Sequence, residues 1–217
     1  VEHKVSGVGV LDKSVAVLDA VAARHSGATL GEVVAATGLP KATAHRLAGA
    51  LDDHGLLRRL EDGRYVLGLR LVGMGAAAAA SWPMAATARP VLESLRDHTG
   101  ESAQLYVREG DSRRCVVSLE SPQELRTIVA EGAVLPLGVG SAGRVLSSAT
   151  GQPRWVASVE ERARGVASVS AGVVIDGRVV AAVGISGPVD RLGPDPGSRF
   201  GAAVVAAADR LASAVVR

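Results

Sequence analysis

The 217-residue chain is poor in aromatic side chains, which make up 2% of it and amount to Tyr65, Trp82, Tyr106, Trp155 and Phe200. Proteins that read single strands or RNA stack bases on such rings, so that class of partner is set aside while duplex DNA stays open. Cysteine occurs once, as Cys115. That excludes an intrachain disulfide and a Cys-rich zinc site, and it suits a reducing compartment. No run approaches the ~18 apolar residues of a membrane-spanning helix, and the first residues lack the charged, apolar and cleavage regions of a signal peptide. A cytoplasmic protein without a membrane partner is expected. The histidines (His3, His25, His45, His54 and His98) show no metal-ligand spacing, and none lies beyond His98. The second half therefore lacks the commonest general base, and neither an enzyme, a metal site nor a cofactor is expected.

What is present describes a folded chain: 47% hydrophobic and 21% charged residues, with a net charge of only +2. Its length suits two small domains. In the first seventy residues, Val15, Leu18 and Ala22 recur at helical spacing, with Asp12 placed to cap the start. Thr29-Leu30-Gly31-Glu32 has the form of a capping box opening a second helix, whose inward stripe is Leu30, Val33, Val34 and Thr37 and whose stop is Gly38. A third helix begins at Pro40 and runs to about His54, burying Ala44, Leu47, Ala48 and Leu51. At 100° per residue its opposite face carries Ala42, Arg46 and Gly49, flanked by Thr43 and His45. Small residues beside a long cation let a helix press close to a polyanion. Asp62-Gly63 between two extended runs then reads as a hairpin turn, with Arg58, Arg59 and Arg64 crowded around it. Three helices and a basic hairpin make a winged helix-turn-helix, with a generic helical bundle as the plainer alternative.

Residues 69–82, rich in Gly and Ala, read as a linker helix that packs against a second subunit. Pro83 starts a fresh helix with Met84, Ala88, Val91, Leu92 and Leu95 on one face, ended by Gly100. The period then changes to strands: 102–108 and 113–119, a third candidate at 125–130, and 166–175 with 178–186 joined at Asp176-Gly177. From about Pro196 the pattern is helical again. An α+β domain with an antiparallel sheet and helices on one face is expected.

The runs LPKATAHRLAGALDDHGLLRRLEDGRYVLGLRL (39–71), LPLGVGSAGRVL (135–146), VEERARGVASVSAGVV (159–174) and VVAAVGISGPVDRL (179–192) resemble, in order, the IclR family of bacterial transcription regulators. GVGVLDKSV (7–15), TGESAQLYVREGD (99–111) and GVASVSAGVV (165–174) look most like an actinobacterial branch linked to amino-acid metabolism, including leucine biosynthesis. The resemblance implies a winged helix-turn-helix at 1–68, a linker or dimerisation helix at 69–82 and a GAF-like effector-binding domain at 83–217. It implies a homodimer, or a dimer of dimers, whose partners are double-stranded operator DNA and a small-molecule effector. Carried onto this sequence, the DNA-facing positions are Lys41, Thr43, His45, Arg46, Arg58, Arg59 and Arg64. The effector positions are Leu135, Leu137, Gly140, Ser141, Ala142, Ser158, Val166 and Ser168. Gly140-Ser141-Ala142 opens a helix, so free N–H groups would favour a carboxylate there, while Leu135, Leu137 and Val166 would form an apolar wall.

Two departures stand out. Ser158 and Ser168 occupy positions where family pockets for small 2-oxo acids often carry an acid and a cysteine. Only about ten residues, 149–158, separate the GSAG helix from the VEER block, where family members have further helices that cap the pocket. Either the element is lost or a stretch of chain is missing, and the second is the preferred reading. Two other functions are weighed: an enzyme built on the GAF-like half, and a thiol redox switch at Cys115, whose neighbours Arg113 and Arg114 could lower its pKa.

Overall fold

The computed structural model describes residues 8–80, 82–148 and 152–215. The chain divides between Ser81 and Trp82 into two compact units, each with its own core.

The first unit contains α1 (Gly9–Ala22), α2 (Leu30–Thr37) and α3 (Lys41–Asp53), then β1 (Leu57–Arg59), β2 (Tyr65–Leu67) and α4 (Arg70–Ala80). The capping box opens α2 as expected. The Thr29 hydroxyl accepts from the Glu32 N–H at 3.2 Å, the Glu32 carboxylate accepts from the Thr29 N–H at 2.8 Å, and Gly38 ends the helix at φ 66°. The stripe of α3 is also as expected: Ala44, Leu47, Ala48 and Leu51 are all buried. The first helix differs. It starts at Gly9, so Asp12 lies in its first turn rather than at the cap. Val17, Ala20 and Val21 are buried, whereas Val15 and Ala22 are exposed. This helix carries two apolar stripes, and docking on α2 and α3 decided which one became core.

The hairpin β1–β2 pairs Leu57 with Leu67 and Arg59 with Tyr65, and Ala28 adds a bridge to Tyr65 that fastens the hairpin to the segment before α2. A side chain at Gly68 would collide with the Gly55 carbonyl, so the path from wing to α4 closes only on glycine.

The second unit runs α5 (Pro83–Thr99), β3 (Ser102–Glu109), β4 (Ser112–Leu119), β5 (Val134–Pro136), α6 (Gly140–Ser147), β6 (Val156–Val159), β7 (Val166–Ile175), β8 (Arg178–Pro188), α7 (Val189–Leu192) and α8 (Pro196–Val215). The sheet is antiparallel, ordered β5-β4-β3-β8-β7-β6. Residues 125–130 form no strand. Side chains hold this loop instead, with the Ser102 hydroxyl donating to the Thr127 carbonyl and Arg191 to the Leu125 carbonyl, both at 2.7 Å. The outer edge of β4 belongs to β5.

Helices cover both faces of this sheet, not one. Leu92 and Leu95 of α5 and Phe200, Val204 and Leu211 of α8 pack one face, while Ala142, Val145 and Leu146 of α6 pack part of the other. This accounts for the nearly continuous burial of β3 and β8. A bulge in β4 adds Val116 between the pairs Leu105–Val117 and Tyr106–Cys115. The extra residue re-aims the strand, so Val117 faces α5 and α8 whereas Cys115 faces α6.

The connection from α6 to β6 is short in the chain itself: the 217-residue sequence is continuous there, which corrects the expectation of a missing stretch. Residues 149–151 lie outside the described residues. Beyond them Trp155 lies against α8, where a side chain at Gly197 or Gly201 would strike its ring.

Candidate functional site

Each unit presents one candidate surface. In the first, the face of α3 opposite its core stripe leaves Lys41, Ala42, His45 and Arg46 exposed and Thr43 half-buried. No hydrogen bond or ion pair engages the side chains of Lys41, His45, Arg46 or Arg58 among the described residues. Folding has left the charges of Lys41, Arg46 and Arg58 without a partner among the described residues, in keeping with a surface that meets an external anion.

The wing arginines divide. Arg58 is exposed and free of such contacts. Arg59 lies over the Tyr65 ring, 5.9 Å from its centroid, and its N–H donates to the Asp52 carboxylate at 3.1 Å. Arg64 is half-buried: its guanidinium donates to the Gly27 carbonyl at 3.3 Å and stands 3.6 Å from Asp62. It therefore braces the wing against the body of the unit, a role that its sequence position among arginines does not reveal.

In the second unit a narrow cleft, with about 30 Å³ of room for the centres of water-sized molecules, lies between the start of α6 and the strands facing it. Six of the expected positions line it: Gly140, Ser141, Ala142, Ser158, Val166 and Ser168. Leu135 and Leu137 do not. They join the apolar cluster beneath α6, with Leu137 buried and Leu135 half-buried, so of the expected apolar wall only Val166 lines the cleft. Gln104, Tyr106, Arg113, Arg162, Ser170, Ile185 and Ser186 line the cleft in addition. Most of these stand at alternate positions of strands. Gln104 and Tyr106 are two apart on β3, Ser168 and Ser170 two apart on β7, and Ser186 pairs across to Ser168. Polar residues repeating every second position in otherwise apolar strands were the available signal.

The hydrogen bonds define an electrostatic pattern. The Ser141 hydroxyl donates to Ser168 at 2.8 Å and lies 2.8 Å from the Ser170 hydroxyl. The Gly140 N–H is not free, since it donates to the Glu161 carboxylate at 3.1 Å, and Glu161 is paired with Arg144 at 3.1 Å. Arg113 is buried at 3% exposure. Its Nη1 donates to the Pro136 and Val139 carbonyls, and its guanidinium lies 5.5 Å from the centroid of the Tyr106 ring. Its Nε has no hydrogen-bond partner among the described residues, and neither has Nε2 of Gln104. Burial pulls the Arg113 guanidinium below its usual pKa, with the neighbouring Arg162 adding to the effect and Tyr106 opposing it. Burial likewise pushes the Tyr106 phenol upward, so it stays a neutral donor. Among the described residues no aspartate or glutamate lines the cleft.

Cys115 is fully buried, and burial pushes its thiol up to about 12, with the Glu131 carboxylate raising it further. The adjacent arginines do not reach it, because Arg114 pairs with Glu109 at 2.7 Å and Arg113 turns to the backbone carbonyls. The redox-switch reading is therefore overturned: a thiol in this state is a poor nucleophile. Among the described residues no group of three or more His, Cys, Asp or Glu could hold a metal ion. No described helix is long and apolar enough to cross a membrane.

Comparison with known proteins matches residues 10–61 to the IclR helix-turn-helix domain and residues 76–155 to the bacterial transcriptional regulator IclR C-terminal domain. The HTH-type transcriptional regulator KipR of Bacillus subtilis is 35% identical over 120 residues, which is 55% of this chain and about half (48%) of that protein. The glycerol operon regulatory protein of Streptomyces griseus is 28% identical over 85% of this chain and 87% of its own length. Among solved structures, an IclR homolog from Microbacterium hydrocarbonoxydans complexed with 4-hydroxybenzoate covers 94% of this chain and 99% of its own, with a TM-score of 0.76 at 19% identity.

Proposed function

Given that the chain belongs to the IclR family of bacterial transcription regulators, we propose that it binds operator DNA through α3 and the wing and that a small carboxylate in the cleft modulates this binding. Its matched relatives are regulators and not enzymes. On this reading Arg46 reads a base edge, because a bidentate arginine on guanine is the commonest specific contact. Lys41 and the wing residues Arg58 and Arg59 hold phosphates, Thr43 and His45 flank the groove, and Arg64 fixes the wing's position. The exposed apolar residues Val72 and Met74 of α4 and Leu69 just before it, at 68%, 54% and 83% exposure, support α4 as a subunit contact. A dimer would then place two recognition helices on a pseudo-palindrome. A DNA-bound regulator works in the cytoplasm of a bacterium.

The observation that carries the effector reading is Arg113. A buried guanidinium with an unpartnered Nε, beside Arg162 in a cleft lined by no acid, is a charge that the fold leaves without a counter-ion. A carboxylate completes it. The neighbour complexed with 4-hydroxybenzoate is itself occupied by a carboxylate. The resemblance of segments 7–15, 99–111 and 165–174 to the amino-acid-metabolism branch points to that field of control.

Selection of bound genomic fragments, followed by titration at several salt concentrations, tests the proposal. The expected result is a pseudo-palindromic site whose affinity falls steeply with salt. Arg58→Ala should reduce the salt slope by about one, and Arg64→Ala should do so less. No preference over random duplex would refute the reading.

A further inference from the structure

Two buried side chains bear on which carboxylate the cleft selects. Gln104 is 1% exposed. Its Oε1 accepts from the Ser186 hydroxyl at 3.2 Å, which turns its unpartnered Nε2 away from Ser186. Arg113 spends Nη1 on two backbone carbonyls and keeps the Nε–Nη2 edge, the side of the guanidinium that a carboxylate grips with both oxygens, without a hydrogen bond among the described residues. Both unsatisfied groups are donors, and a buried donor without an acceptor is costly. A ligand that supplies acceptors to both is favoured over one that supplies a single acceptor.

The two donors stand apart. The Arg113 guanidinium lies over the Tyr106 ring, and Gln104 is two residues away on the same face of β3, roughly 7 Å along the strand. With both carboxylate oxygens engaged on the Arg113 edge, Gln104 needs a further acceptor on the same ligand. Charge narrows the choice further. Arg113 and Arg162 line the cleft, no acid does, and the nearby Glu161 is committed to the Gly140 N–H and to Arg144. An ammonium group would meet two guanidiniums and no free carboxylate.

We propose, building on the effector reading above, that the cleft selects a short carboxylate carrying a second oxygen acceptor at its far end and no ammonium, with Arg113 holding the carboxylate and Gln104 reading the far oxygen. This excludes amino acids themselves as the effector. Gln104 is then the residue that sets specificity.

Calorimetric titration of the full chain with succinate, butyrate and aspartate isolates each element. Butyrate lacks the far carboxylate, both as acceptor and as charge, and aspartate adds only the ammonium; the Gln104 variants separate the acceptor from the charge. Succinate should bind about tenfold or more tightly than either, since a site with buried donors rejects a ligand that leaves them unpaired. Gln104→Leu should erase the preference for succinate over butyrate, and Gln104→Glu should shift preference from succinate toward aspartate, each with the far-ultraviolet spectrum of the parent. Equal binding of succinate and butyrate, or tighter binding of aspartate, overturns the selection rule and leaves the effector reading standing. If none of the three binds, the carboxylate reading of the cleft fails with it. Should Gln104→Leu lose its fold, the Gln104→Glu shift decides alone, and an unchanged preference there overturns the role of Gln104.

Discussion

The two units hold their candidate functional residues in opposite ways. In the winged unit, Lys41, His45, Arg46 and Arg58 stand outside the core, exposed and without partners among the described residues, so folding asks little of them. In the sensor unit, Gln104, Arg113, Ser141, Ser170 and Ser186 lie inside, each 5% exposed or less, and most are already hydrogen-bonded to the fold. A surface site can change without disturbing its scaffold, whereas a buried polar site is part of its scaffold. Function and stability are thus separable in the first unit and coupled in the second.

The largest effects test whether the two cores are independent. Leu57→Ala in the first unit and Leu105→Ala in the second, both 1% exposed, should each cost about 2–5 kcal/mol. Amide exchange should show protection lost within the mutated unit alone. Loss across both units from either change would break the comparison at its root.

The next test sets one arginine against another. Arg46→Ala should leave folding stability within about 0.5 kcal/mol and cost about 1–3 kcal/mol of operator binding, with base preference relaxed at one position. Lys41→Ala should weaken all sequences about equally. Arg113→Ala strips the partners from two backbone carbonyls and should destabilise the sensor unit by about 1–3 kcal/mol. Chemical denaturation of the three variants beside binding isotherms gives the comparison directly, and an Arg113→Ala protein as stable as the parent would contradict the coupling of site and scaffold.

The smallest effect near neutral pH concerns the buried thiol. With its folded pKa raised from 9.0 to about 12, Cys115 keeps its proton in the folded state after the unfolded chain has lost it. The stability tied to the neutral thiol is full below about pH 9 and declines as pH rises from there toward 12. A Cys115→Ala variant should show a flatter decline over that window. Alkylation at pH 8 should be slow in the native protein and rapid in denaturant, and equal rates in the two would contradict the burial.

The difference between the units also governs what could be read ahead of the structure. The helices, capping box and hairpin of the first unit are local: Thr29 and Glu32 satisfy each other's backbone within four residues, and the α3 stripe at 44, 47, 48 and 51 follows from the helical period alone. The exposed face of α3 could be named because it is simply the side that the core does not use. The helix ends and long strands of the second unit were equally legible, down to the turn at Asp176-Gly177. Arg64 escaped because its partner Gly27, 37 residues away, was assigned by the fold and not by its neighbours in sequence.

Sequence periodicity by itself determined which face of α3 is exposed and most of the elements, since each depends on contacts within a turn of helix or across a tight hairpin. Tertiary structure alone decided which stripe of α1 is buried, that the sheet is covered on both faces, that Leu135 and Leu137 leave the cleft, and that Gln104 and Arg113 enter it. These outcomes arise from strand neighbours far apart in the chain and from one bulged residue, Val116, that changes which face its strand presents. Spacing along a sequence records direction within one element; only the packed sheet brings residues 104, 113, 141, 168 and 186 around one cleft.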